Sequence, residues 1–174
     1  MSAINARTGG SKATIYGYFA SKEELFTAAL ESGLKDASGE AFRELESPGT
    51  LPDRLLRFAR AHVASRMASD MVAIDRLLVA EGGRSDVFEL VREKSFLKRR
   101  MVADLLEPEM AGGALRDADP IRAAVHLLAL IEADLLDRHL HGDKSITTDM
   151  LEEQIHLGVD AFLRAYAPDG EAPR

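Results

Sequence analysis

At 174 residues, 46% hydrophobic and 29% charged, the chain has material for one core of ordinary size and is short for two independent domains. It has no cysteine, which excludes a disulfide scaffold and a thiolate metal site and points to a reducing, cytoplasmic compartment. The net charge of −7 argues against nucleic acid for the chain as a whole, yet residues 1–22 hold Arg7, Lys12 and Lys22 without a single acid: a basic head on an acidic body.

Residues 1–20 lack the apolar run of a signal peptide. The longest apolar stretch, AAVHLLALIEADLL, is interrupted by His126, Glu132 and Asp134, so it reads as a buried helix and no membrane partner is expected. Every long segment has helical periodicity, and none alternates with period two, so the expected fold class is all-α.

In chain order, "SAINART" at residues 2–8 looks like the end of a helix, and Gly9 suits the left-handed residue that follows one. Ser11 caps a short second helix with Lys12, Ala13 and Thr14 in its first turn. Ile15 and Phe19 face inward, leaving Lys12, Thr14, Tyr16 and Tyr18 toward solvent or DNA. Ser21 and Glu24 form a capping box that opens a helix from Lys22 toward Leu45, where the Lys22 ammonium and free N–H groups can hold a phosphate. Spacing alone leaves an ordinary helical hairpin as an equal reading of this stretch.

Farther on, "SPGTLP" ends that helix, and Thr50 with Asp53 opens the next, through about Met67. Ser69 and Asp70 mark a break before "MVAIDRLLVAE", which Gly82 and Gly83 stop. Ser85 or Asp86 starts a long helix to about Leu106, closed by Pro108 and the loop "MAGGALRDAD". Asp119 before Pro120 starts another, expected to run unbroken to about His141. After "GDKSI", Thr148 or Asp149 caps a last helix whose stripe Leu151, Ile155, Val159, Phe162 and Tyr166 faces one way, ended by Pro168. The expected organisation is a head with its connecting helix over 1–45, a helical body over 46–168, and a disordered tail over 169–174.

The segment "SKATIYGYFASKEELF" resembles the DNA-binding signature of the TetR family of bacterial transcriptional regulators, over a block from Met1 to about Ala29. The resemblance implies an all-helical homodimer that binds duplex operator DNA and is released by a small-molecule effector. By position, it implies that Lys12, Ala13, Thr14 and Tyr16, with Ser11 at the cap, line or read the groove, and that Tyr18 and Lys22 contact phosphates. Ile15, Phe19, Leu25 and Phe26 would be core. Two departures stand out. Gly10 occupies a position that in the family usually holds a small apolar residue, and the chain begins inside what should be the second helix. An expected alternative is therefore a head-truncated relative that dimerises or senses ligand without binding DNA.

The body offers Phe58, His62, Arg66, Met67, Met71, Leu78, Phe88, Phe96 and Met101 for an adaptable ligand pocket, with Arg66, Asp75 or Glu81 able to orient a polar group. The same residues at helical spacing also read as plain core. Val125, Leu128, Leu151, Ile155, Gly158, Val159 and Phe162 are expected at a homodimer interface through the last two long helices. A third reading, a helical metal-binding protein, would draw on the E-x-x-H pair Glu153/His156 with His126, Glu132, His139 and His141. The pattern occurs once where a di-metal bundle needs it twice, so no metal or other cofactor is expected. The basic run "REKSFLKRRM" reads as a solvated ion-pair surface, with Glu89 and Glu93 as partners. No nucleophile–base arrangement or phosphate loop is visible, and no enzyme is expected.

Overall fold

The computed structural model describes residues 41–68, 71–73, 75, 76, 79 and 85–168, without the side chains of 85–88, 90 and 94. All of these lie in one compact unit that spans residues 34–174. Residues 1–40 of the expected head and connecting helix, the break at Ser69 and Asp70, the glycine stop at 82–83 and the tail lie outside the described residues.

Every regular element among the described residues is helical, as the periodicity requires. Residues 41–46 are the end of a helix, and residues 71–73, 75, 76 and 79 are helical. Between and after them lie α1 (Leu51–Met67), α2 (Ser85–Ala111), α3 (Pro120–Glu132), α4 (Leu135–Leu140) and α5 (Thr148–Ala165). Local chemistry sets most of these starts. At α1 the Thr50 hydroxyl accepts from Asp53 N at 3.4 Å and donates to its carboxylate at 2.6 Å. At α3 the Asp119 carboxylate accepts from Ile121 N at 2.9 Å and Arg122 N at 3.3 Å, with Pro120 preset at the first position. The cap of α5 is Thr147, a residue earlier than expected, accepting from Met150 N.

The middle of the unit is α3, which is apolar nearly all round and packs on α2 and α5, while α1 also packs on α5. Leu55, Phe58 and Val63 of α1, Val102 and Leu106 of α2, Leu127 and Ile131 of α3, and Ile155, Val159 and Phe162 of α5 are all buried in one cluster. Gly158 permits the closest of these crossings, since a Cβ there would stand 2.5 Å from the Leu130 carbonyl oxygen. At the far end the chain is clipped to the loop before α3. Arg116 N donates to Tyr166 O at 2.9 Å, its guanidinium donates to Ala165 O and lies 4.7 Å above the Tyr166 ring, and His126 meets the Tyr166 hydroxyl at 2.7 Å.

Three expectations are corrected. Of the closure expected from Pro108 and the loop after it, Pro108 takes no part, and α2 continues through it to Ala111. A proline this near a helix end removes only the bond to the Asp104 carbonyl. The real stop is Gly113, at φ +75°, with Ala114 N donating to Glu109 O and Gly113 N to Met110 O, a Schellman closure. The helix from Pro120 is not continuous to His141: it breaks at Ala133, φ +40° and ψ −131°, before α4 resumes. No glycine, proline or asparagine lies at the break to announce it. Finally, Ile155, Val159 and Phe162 of the expected interface are buried within one chain, and Gly158 is spent against α3, so these side chains form the chain's own core. Val125, Leu128 and Leu151 remain half-buried.

Candidate ligand-binding site

Near the end of α1, His62 and Arg66 stand one helical turn apart on the side that meets the end of α3. His62 Nε2 lies 2.8 Å from Glu132 Oε1, and Arg66 Nε lies 3.5 Å from the same oxygen. Arg66 Nη1 reaches Asp75 at 2.9 Å, and Lys98 approaches from α2 within electrostatic range of Arg66, Glu132 and Asp75. The result is a largely buried group of two carboxylates, a guanidinium, an ammonium and an imidazole, floored by Phe58, whose ring stacks on His62 with centroids 5.4 Å apart.

Burial sets the proton states. It pushes the His62 pKa below its ordinary value against the opposing hydrogen bond with Glu132, so the ring is neutral at pH 7. Burial also pulls the Lys98 ammonium down, with Arg66 adding repulsion. For Glu132, burial alone would raise the carboxyl. The His62 hydrogen bond and the neighbouring cations outweigh it and hold the group below its usual range, ionised. Charge balance is nearly complete: Asp75 Oδ2 lies 2.9 Å from Arg66 Nη1 and Arg66 Nε lies 3.5 Å from Glu132 Oε1, ionic contacts that leave both buried atoms out of good hydrogen-bond alignment. A buried donor or acceptor out of hydrogen-bond alignment costs about 1–3 kcal/mol, which the ion pairs here offset in part.

Of the expected pocket residues, Phe58, His62 and Arg66 form this region with Met67 next to Arg66 on the helix, and Met71 is buried. Phe96 stands apart, 53% exposed on the outer side of α2. Leu78 and the Phe88 side chain lie outside the described residues. Lys98 leaves the solvated surface expected for the basic run, whereas Arg92 keeps to it, paired with Glu89 at 2.7 Å. The partnership of Glu132 with His62 spans 70 residues, and only packing reveals it.

A separate cavity of about 390 Å³ lies between residues 42–46, Arg54 of α1 and the Met101–Glu109 stretch of α2. Arg54 closes one side, donating to Leu45 O at 2.8 Å and pairing with Glu109 at 2.9 Å. Of the expected pocket residues that the structure describes, Met101 lines it and the others do not.

The candidate metal ligands are dispersed. His156 and Glu152 meet Arg60, His139 meets Met67 O, His141 meets Asp137, and Glu153 is exposed. Among the described residues no three His, Cys, Asp or Glu are placed to share an ion. No helix among them is long and apolar enough to cross a membrane. The expected DNA contacts, Ser11, Lys12, Ala13, Thr14, Tyr16, Tyr18 and Lys22, lie outside the described residues.

Residues 53–168 match the C-terminal domain of AefR-like transcriptional repressors, and residues 1–29 match the bacterial regulatory proteins of the tetR family. The flavonoid-responsive regulator FrrA is similar at 31% identity and a TM-score of 0.73, over 98% of this chain and 87% of that one. A Mesorhizobium loti protein assigned to the TetR family superposes with a TM-score of 0.81 at 24% identity, over 94% and 84%. A TetR regulator from Agrobacterium tumefaciens gives 0.71 at 22%, over 97% and 84%. The last two establish the fold alone. No curated protein matches the chain.

Proposed function

The chain belongs to the TetR family of bacterial regulatory proteins, and from that premise we propose that it is a ligand-responsive transcriptional repressor. As a homodimer it binds operator DNA and leaves it when a small molecule occupies the body. The match of residues 53–168 to a repressor's effector-side domain carries this reading. The buried polar group around Arg66 supports it, because a few charged groups beside an aromatic floor are what an orienting ligand site needs. The effector proposed is a hydroxylated aromatic of the flavonoid kind. A similar protein is named for that response, and a phenolic hydroxyl is at once a donor and an acceptor, suited to a site that holds a guanidinium and two carboxylates.

DNA contact is assigned to Lys12, Ala13, Thr14 and Tyr16 in the groove, with Ser11 at the cap and Tyr18 and Lys22 on phosphates. The dimer is assigned to the outer faces of α3 and α5, where Leu157 is 57% exposed and Val125 and Leu128 are half-buried. Fluorescence anisotropy with labelled duplexes tiling the DNA beside its own gene, at fixed salt, tests the whole. One duplex should bind specifically, Lys22→Ala should weaken it on all sequences, and a hydroxylated flavone should release it. Failure of every duplex to bind would remove the repressor reading.

A further inference from the structure

The break between α3 and α4 is held by contacts and not by its own residues. From Pro120 to His141 the sequence has helical periodicity and no residue that stops a helix, so local preference favours one unbroken rod. The structure instead places Ala133 in the positive-φ region that alanine disfavours. Three contacts offset this. Gln154 Nε2 of α5 donates to Leu130 O at 2.7 Å, taking the acceptor that the amide of Asp134 would use in an unbroken helix. Gly158 lets α5 press against the same carbonyl. Glu132, a carboxylate at a helix C-terminus where the dipole disfavours it, is held there by His62 and Arg66. Beyond the break, α4 is fastened by buried Leu135, by Arg76 donating to Leu140 O at 2.8 Å, and by His139 against Met67 O.

We infer that the α3–α4 break is a two-state joint, broken while Glu132 is paired with His62 and Arg66 and Gln154 holds the Leu130 carbonyl, and helical through Ala133 when those contacts are released. Propensity and the lost backbone bonds favour the rod, while the tertiary contacts favour the break. Both terms are local, so a change at one polar group can shift the balance. On the proposed function, an effector that takes Arg66 or His62 from Glu132 would act on this joint. The joint itself does not depend on that reading.

The chain has no cysteine, so exposed Arg122 and Asp137 can be changed to Arg122→Cys and Asp137→Cys in the full chain and carry nitroxide labels. Mixing with unlabelled protein suppresses distances between copies. Double electron–electron resonance then reads one intrachain distance across the joint, which in an unbroken helix is about 22 Å between backbones. The otherwise unmodified chain should show a single, shorter population. Glu132→Gln, which keeps a hydrogen bond to His62, should add a population at the unbroken distance, on the order of a tenth of molecules or more. Gln154→Met should do the same from the α5 side. Adding Ala133→Gly to either should deplete that population, because glycine accepts the positive φ and weakens the rod. A distribution unchanged by both Glu132→Gln and Gln154→Met would overturn the joint, as would a new population that Ala133→Gly leaves intact.

Discussion

The neutral imidazole of His62 makes the stability of the body depend on pH in a defined direction. Its pKa in the folded chain lies below that of an exposed histidine because the ring is buried. Between about pH 7 and 5 the unfolded chain therefore binds the proton more readily, and stability rises with pH through that window and falls on acidification. The carboxyls of Glu132 and Asp53 are also held low, so their contribution is lost only in a more acid range, below about pH 4.5. Urea midpoints between pH 7.5 and 5 should fall, and His62→Gln should flatten part of that slope while leaving the slope below pH 4.5. A slope unchanged by the substitution would show that His62 titrates normally. Phe58, fully buried beneath His62, is the other residue on which the site rests; Phe58→Ala should lower stability by about 3–5 kcal/mol in the same assay.

Among the elements, the crossing of α3 and α5 at Gly158 has the least tolerance. A methyl at that position would meet backbone atoms of Leu130 and Ile131 within 2.9 Å, and backbone cannot swing aside as a side-chain tip can. Gly158→Ala should cost about 1–3 kcal/mol by overpacking, despite the better helix propensity of alanine, as thermal unfolding will show. The same elements indicate how far local sequence reaches. Thr50 and Asp119 announce helix starts because a cap is an interaction between neighbours, and α1 and α3 begin where those residues place them. Pro108 misleads because its cost depends on how close the helix end lies, and that end is set by Gly113. Ala133 gives no sign at all, since its conformation is imposed by Gln154, His62 and Arg66 from elsewhere in the chain. In the candidate site, His62 and Arg66 are legible as neighbours on one helix face. Glu132, Asp75 and Lys98 acquire their shared position only through packing.

For the whole molecule, the division between core and partner-facing surface decides how assembly should be probed. Phe162 and Val159 are interior, so Phe162→Asp would bury an unpaired charge and unfold the body, giving no information about a dimer. Leu157 projects from α5 in the opposite sense and can be altered without opening the core. Leu157→Asp should therefore leave helicity and melting nearly unchanged while shifting the mass in light scattering from dimer toward monomer at micromolar concentration. A dimer unaffected by Leu157→Asp would place the interface on a different face.

The clip at the end of α5 also gives the body a built-in optical reporter. The chain contains no tryptophan and three tyrosines, two of which, Tyr16 and Tyr18, belong to the N-terminal segment. Tyr166 is thus the only strong near-ultraviolet chromophore of the body, fixed between the Phe162 ring, the Arg116 guanidinium and His126. A chromophore held in so asymmetric a setting yields circular dichroism that vanishes when the setting loosens. With Tyr16 and Tyr18 changed to phenylalanine, the tyrosine band follows the seating of α5 on the loop before α3 without any label.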